Sequence, residues 1–250
     1  MLTSDINIKE IKANARGQLV GKYPPAVLSV LIPTVVELIV TSISDSSYTG
    51  STSSYLLSIV ISLIIDMLMG IFILGQAKFY LNLTRGKEPV TVSDIFYGFK
   101  NNMDKAIILQ SVYALASLVS VLPAIFINLG FISLDVQTSR TVTALLLLFS
   151  LVLQFAVRAF FGLSFFVLSD NPDLSVGEIF ERSLSLMENK KGKYILTCLS
   201  FVPLFVLGFF AFFIGVVWVS AYSQATLTNF YLKAIGEEPP KPSENLNTRL

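Results

Sequence analysis

Three ionisable side chains lie where this chain is most apolar. Glu37, Asp66 and Arg158 each fall inside a long hydrophobic run. A charge near the centre of a bilayer costs roughly 2.5–3.5 kcal/mol on insertion scales, so it faces protein or water rather than lipid. Such groups serve as proton, ion or substrate contacts. The alternative is a polar contact between helices or, for Arg158, a side chain that reaches back to the aqueous interface. Asp66 and Arg158 also stand on polar stripes. Ser58, Ser62, Asp66 and Gly70 recur every fourth residue in one run, Ser150, Gln154, Arg158 and Gly162 in a second, and Ser220, Gln224 and Thr228 in a third. Residues four apart share a helix face, and small or polar residues in membrane helices gather where helices pack. The candidate intramembrane polar contacts are therefore Glu37, Ser62, Asp66, Gln154, Arg158 and Gln224, on seams expected to turn toward one another. Arg158 corresponds in register to Leu74, about 12 Å along the axis from Asp66, so a direct pair between the two charges is not expected.

Other chemistry finds little footing. There is no His, which excludes histidine acid–base catalysis and His ligation of a metal. Cys198 is the single cysteine and lies in an apolar run as a packing residue. The chain has no phosphate loop, dinucleotide-binding glycine pattern or zincin helix, and no nucleophile elbow. Asp170, Asp173, Glu178, Glu181 and Glu188 alternate with bases and do not converge on one helical face, as a solvated surface does. No catalytic residue, metal or cofactor is expected, and the protein is not expected to be an enzyme. The net charge of +1 implies no nucleic-acid partner.

The elements that must position these residues are membrane helices. Of 250 residues 53% are hydrophobic and 14% charged, and mean hydropathy is +0.69. Soluble domains carry about 25% charged residues, so this chain cannot cover a soluble globule of its size. Spans are expected over 24–43, 55–83, 106–129 and 141–168, with the run 194–232 divided near Gly208 to Gly215 into a fifth and a sixth. One long tilted helix in that last run is the alternative. No cleavable signal peptide is visible, because the first apolar run starts only at Pro24.

A short motif precedes each pair of spans. Asn7-Ile8-Lys9-Glu10-Ile11, Thr91-Val92-Ser93-Asp94-Ile95 and Ser175-Val176-Gly177-Glu178-Ile179 all read as capping residue, β-branched residue, any residue, acid, Ile; each copy begins 84 residues after the one before (7, 91, 175). The form matches a capping box, and the apolar residues that follow recur at helical period. We read three amphipathic helices that lie at the membrane interface, with Ile11, Phe96, Phe99, Ile179 and Phe180 on their apolar faces. The expected fold is all-α: a polytopic helical bundle of six spans, built as three parallel repeats (about 5–83, 89–168 and 173–235), each an interfacial helix plus a transmembrane hairpin. Such repeats are related by an axis along the membrane normal, here a pseudo-threefold. Residues 1–235 form one membrane domain, and 236–250, acidic and proline-containing, read as a disordered tail. Of the 18 Lys and Arg residues, only Arg140 falls in an outer loop and Arg158 inside a span, so the positive-inside rule places both termini in the cytoplasm.

Gly75-Gln76-Ala77-Lys78-Phe79-Tyr80-Leu81, Arg85-Gly86-Lys87-Glu88-Pro89, Asp94-Ile95-Phe96, Leu168-Ser169-Asp170-Asn171-Pro172-Asp173-Leu174-Ser175 and Gln224-Ala225-Thr226-Leu227-Thr228-Asn229-Phe230-Tyr231-Leu232 carry a resemblance. The chain resembles the bacterial integral-membrane family catalogued as domain of unknown function 975, over nearly its whole length to Gly236. It is also distantly similar to the membrane domain that accompanies some glycerophosphodiester phosphodiesterases. The resemblance implies six spans and a bacterial plasma membrane, and it transfers no catalytic residue. The functional expectation is a non-catalytic scaffold, regulator or bilayer sensor whose partners are the lipid bilayer and a membrane protein. The alternative is a transporter or channel for a small solute or lipid that uses the seams of spans two, four and six.

Overall fold

A computed structural model describes residues 6–46, 49–87, 89–128, 135–211 and 214–238. These residues are helical, with no strand among them. The order is α1 (Ile8–Leu19), α2 (Tyr23–Ser46), α3 (Thr52–Thr84), a 3-10 turn (Val92–Phe96), α4 (Tyr97–Lys100), α5 (Met103–Asn128), α6 (Val136–Phe161), α7 (Ser164–Asp170), α8 (Val176–Met187), α9 (Lys191–Leu199), α10 (Val202–Phe210) and α11 (Ile214–Ile235). Among the described residues four segments are long and apolar enough to cross a membrane: Tyr23–Ile43, Thr52–Thr84, Arg140–Asp170 and Lys191–Phe210. Large apolar side chains such as Leu38, Ile43, Leu145, Leu148, Val152, Leu207 and Phe210 are exposed along them. So much uncovered apolar surface is intelligible only in a lipid solvent, and the molecule has the construction of a membrane protein.

The long α3 is the hub. It packs against α2, α5, α7, α11 and the 3-10 turn. Two glycines let neighbours come close. A Cβ at Gly70 would strike the carbonyl of Ala106 and, at 2.6 Å, Cβ of Gln110, both on α5; a Cβ at Gly75 would collide with the backbone of Ile95. Burial along α3 is uneven. Its first half is exposed or half-buried apart from Ile65, whereas Gly70, Ile71, Phe72, Leu74, Gly75, Ala77 and most residues from Phe79 to Thr84 are buried. The buried parts of α7 and α11 lie toward the same end. The core is therefore concentrated at the end of the bundle where α3, α7 and α11 terminate, here called the basal end.

Local sequence explains several departures from expectation. The first amphipathic helix spans Ile8–Leu19, and residues 1–5 lie outside the described residues. Asn7 caps it by accepting from the Lys9 amide at 3.0 Å, but Glu10 does not close a box, because it reaches Lys233 at 3.1 Å. The second amphipathic helix is not a regular helix. Asp94 accepts from Asn82 Nδ2 at 2.9 Å, Thr91 pairs with Ser93, and the Ile95 backbone is pressed onto Gly75. The tighter 3-10 form fits that confined space. Only Ser175 and Glu178 complete the reciprocal box. The expected span over 141–168 is interrupted at Gly162 and Leu163, and the run 194–232 breaks twice, after Leu199 and after Phe210. At the second break Gly208 and Gly215 bring the backbones of α10 and α11 into contact. Helix α2 runs on to Ser46, past the expected loop start at Ser44. The tail beyond 238 lies outside the described residues.

The apolar stripes of α1 and α8 do not face lipid. Ile11 is 1% exposed and Ile179 is fully buried, inside the same core as Leu74, Leu81 and Leu168. Phe180 is half-buried and packs edge-on against Phe161 at 4.9 Å. Phe96 and Phe99 do remain exposed, at 43% and 45%, and make edge contacts with Phe72. Two of the three amphipathic segments thus use their apolar faces to close the bundle, and one keeps a pair of aromatic rings outside.

Gly75→Val should destabilise the detergent-solubilised protein by about 1–3 kcal/mol, the usual cost of forcing atoms into a packed contact, while Gly177→Ala, which meets nothing within 4 Å, should leave thermal unfolding unchanged. The α8 cap makes a second prediction. The Ser175 hydroxyl, and then its backbone N–H, hold the Glu178 carboxyl below its ordinary range. A carboxyl lowered on folding stabilises fully at neutral pH and loses that contribution as pH falls through the lowered value. Amide exchange in the first turn of α8, corrected for intrinsic rates, should accelerate on acidification through that range, and Glu178→Gln should flatten the dependence.

Candidate functional site

The close approach at Gly70 brings a polar residue of α5 to a charged one of α3. One turn from the Gly70–Ala106 contact, Gln110 Nε2 donates to Asp66 Oδ1 at 2.9 Å. Gln110 is 8% exposed and Asp66 half-buried. A second glutamine is recruited by a proline. Pro33 lies inside α2 and has no N–H for the carbonyl four residues back, which is Ser29. Gln76 Nε2 of α3 supplies the missing donor at 2.9 Å. In lipid such a freed backbone group must be satisfied by a neighbour, so Pro33 and Gln76 form one structural unit. The Tyr80 hydroxyl, one turn along α3, donates to the Ala26 carbonyl at 3.1 Å and lies 3.2 Å from the Ser29 hydroxyl.

These residues border two adjoining cavities. The larger, about 280 Å³, is lined by Thr34 and Glu37 of α2, Asp66 of α3 and Ser220 of α11. The smaller, about 120 Å³, is lined by Tyr113 of α5, Arg158 of α6 and Tyr194 of α9. Ile73, Gln76, Gln110 and Gln224 line both. Two carboxylates thus stand on one side of a glutamine partition and one guanidinium on the other. Each cavity exceeds the space one water needs, and each is smaller than the roughly 300–1,000 Å³ of a drug-sized pocket.

Arg158 owes its position to the break after α6. It sits in the last turn of that helix, where a cation complements the helix dipole. Its carbonyl accepts from Gly162 N at 2.8 Å. A side chain at Gly162 would collide with the Tyr194 hydroxyl, so the glycine lets the phenol close that side of the cavity. Among the described residues the Arg158 guanidinium makes no ion pair, and Asp66 is not its partner.

Not every predicted contact joins the site. Glu37, Asp66, Arg158 and Gln224 line the cavities; Ser62 is exposed one turn farther from the core, and Gln154 is half-buried away from them. Gln76, Gln110, Tyr113 and Tyr194 were missed. Gln110 is the one glutamine in the third apolar run, a signal available from the sequence. Gln76 needed the reading of Pro33 as a helix interior residue. Among the described residues no group of His, Cys, Asp or Glu could hold a metal ion.

The basal end closes below these cavities through one arginine. Arg85, which caps α3, donates Nη1 to Asp170 Oδ1 at 2.6 Å and Nη2 to Oδ2 at 2.8 Å. Its Nε and Nη2 reach Glu237 at 2.8 and 2.7 Å, and the Tyr231 hydroxyl donates to Asp170 at 3.1 Å. The ends of α3, α7 and α11 are thereby tied together.

The Pro33–Gln76 unit can be tested by a double-mutant cycle. Gln76→Leu alone should cost about 2 kcal/mol, because it strands a carbonyl in an apolar setting. In a Pro33→Ala background, where residue 33 regains an N–H, the same change should cost far less. Equal costs in thermal unfolding would show that the glutamine does not serve the freed carbonyl.

No curated protein and no solved structure matches the chain, and the likeness to the phosphodiesterase membrane domain finds no support there. A family model described as "Protein of unknown function (DUF975)" matches residues 1–238. The match covers α1 to α11 and every residue that lines the cavities, and the chain belongs to this family.

Proposed function

We propose that the protein is a non-catalytic transporter or carrier that holds a small polar solute, or the headgroup of a lipid, in the paired cavities between α2, α3, α5, α6 and α11. The observation that carries this reading is the placement of Glu37 and Asp66 on one side and Arg158 on the other of a half-open polar space bounded by Gln110 and Gln224, with Glu37 and Arg158 themselves exposed. Dry helix–helix contacts between these residues would have argued for a structural role alone. The scaffold reading loses ground because Ile11 and Ile179 face the protein's own core; Phe96 and Phe99 remain its one favourable feature.

We further infer six spans, both termini in the cytoplasm of a bacterial plasma membrane, and a pseudo-threefold arrangement. Support for the last comes from a cyclic order of contacts. The first amphipathic segment docks on the last helix of the third hairpin (α1 on α11), the second on the last helix of the first (the 3-10 turn on α3), and the third on the last helices of the second (α8 on α6 and α7). The partners correspond as well. Phe79-Tyr80-Leu81-Asn82, Phe165-Phe166-Val167-Leu168 and Phe230-Tyr231-Leu232-Lys233 each begin five residues before the end of their helix. Asp94 meets Asn82 and Glu10 meets Lys233, while opposite the apolar Leu168 the third acid, Glu178, turns back on its own cap.

Water access decides between cavity and dry packing. In a Cys198→Ala background, Gln224→Cys in membranes should react with a small water-soluble thiosulfonate, and Leu145→Cys should not. In complementation of a null mutant, Asp66→Asn and Arg158→Gln should each abolish function, and Phe96→Glu should spare it. An inert Gln224→Cys together with functional charge variants would reject the reading.

A further inference from the structure

A separate pocket of about 650 Å³ lies on the opposite face of α11, outside the paired cavities. It is lined by Lys9, Lys12 and Arg16 of α1, Tyr23 of α2, Leu204 of α10, and Trp218, Val219 and Tyr222 of α11. The three cations fall at i, i+3 and i+7, one face of α1, and among the described residues no acid lines the pocket with them. Glu10, the acid of the same helix, is engaged by Lys233.

The pocket has two halves of different character. At the α1 side it is cationic. Tyr222 fixes that side by donating its hydroxyl to the Lys12 carbonyl at 3.2 Å. Lys12 itself lies over the Phe201 ring at 4.2 Å and donates to the Ser200 carbonyl at 3.2 Å, so its ammonium is held in place. Burial, and then repulsion from Arg16, push its pKa below the usual lysine value, as expected for a partly buried cation beside a like charge. Toward the hydrophobic belt the wall becomes Leu204, Val219 and Trp218, and it continues into the exposed apolar surface of α10 at Val206, Leu207 and Phe210. Trp218 stacks on Tyr23 with ring centroids 4.6 Å apart, an aromatic pair of the kind found at the headgroup level.

We infer that this pocket is a binding site for an anionic phospholipid, with the phosphate held by Lys9, Lys12 and Arg16 and an acyl chain laid along Trp218, Leu204 and the α10 surface. Charge complementarity and continuity with the lipid-facing surface single out a lipid. A soluble phosphate would leave the apolar wall without a role, and an acidic protein segment would have to lie within the bilayer beside α10. Basic pockets between membrane helices recognise anionic headgroups on these terms. The site is independent of the paired cavities.

Trp218 is the only tryptophan in the chain, so its fluorescence reports on this pocket alone. The full-length protein is reconstituted in phosphatidylcholine with either acyl-brominated phosphatidylglycerol or acyl-brominated phosphatidylcholine at the same mole fraction. Brominated phosphatidylglycerol is expected to quench Trp218 at a several-fold lower mole fraction. The combined variant Lys9→Gln, Lys12→Gln, Arg16→Gln should lose this preference, with helicity unchanged by circular dichroism, and a distant control, Lys100→Gln, should keep it. The single change Arg16→Gln, which removes no hydrogen bond found among the described residues, should weaken the preference on its own and guards against misfolding of the triple variant. Equal quenching by the two lipids overturns the inference, as does a preference that survives all three substitutions. A shift of Trp218 emission by inorganic phosphate without anionic lipid would overturn the assignment to a lipid.

Discussion

The structure depends on how near its neighbours can come to α3. Gly70 and Gly75 remove the side chains that would hold α5 and the 3-10 turn away. In lipid there is little hydrophobic gain from pressing one apolar helix on another, so close backbone approach and interhelical hydrogen bonds supply the cohesion. At Gly70 that approach brings Gln110 within hydrogen-bonding distance of Asp66. At Gly75 it draws the segment after α3 back against the helix it has just left, which closes the basal core. The same two contacts that hold the bundle together therefore also build one wall of the polar interior.

That interior follows from a second constraint, the need to satisfy every polar group the bilayer cannot hydrate. Pro33 interrupts the ladder of α2, and Gln76 answers it. Gln110 answers Asp66. Interhelical hydrogen bonds of this kind contribute on the order of 0.6 kcal/mol each, up to about 1.7, too little to explain by themselves why two carboxylates and an arginine are retained inside apolar helices. Gln224 and Ser220 on α11 add polar atoms that face space. That surplus of polar groups over what packing needs is what the proposed carrier reading draws on.

Much of the fold was legible. Apolar run length gave the long helices, and the recurring Asn7, Thr91 and Ser175 motif marked three starts, each at or one residue before the observed helix or turn. The break near Gly208 and Gly215 was legible from two glycines in an overlong run. What the sequence concealed were effects of tertiary partners. Nothing in Thr91 to Phe99 announces a 3-10 turn, since its helical periodicity is good; Gly75, sixteen residues earlier than Thr91, decides the matter by admitting the Ile95 backbone. The stripes of α1 and α8 have the pattern of interfacial helices, and pattern alone does not distinguish lipid from protein as the apolar partner. In the site, four-residue spacing found Asp66, Arg158 and Gln224 but overextended to Ser62 and Gln154, because a helix face winds away from a fixed neighbour by about 40° every four residues.

The arginine that ties the basal end carries one positive charge and faces two carboxylates, Asp170 at 17% and Glu237 at 38% side-chain exposure. The arrangement is electrically surplus on the negative side, so letting go of either acid leaves a neutral couple behind instead of an orphaned ion. Glu237, the wetter of the two and the one beyond the end of α11, is the cheaper to release. Release of Glu237 would leave Arg85 and Asp170 still joining α3 to α7, with Tyr231 still holding α11 to Asp170.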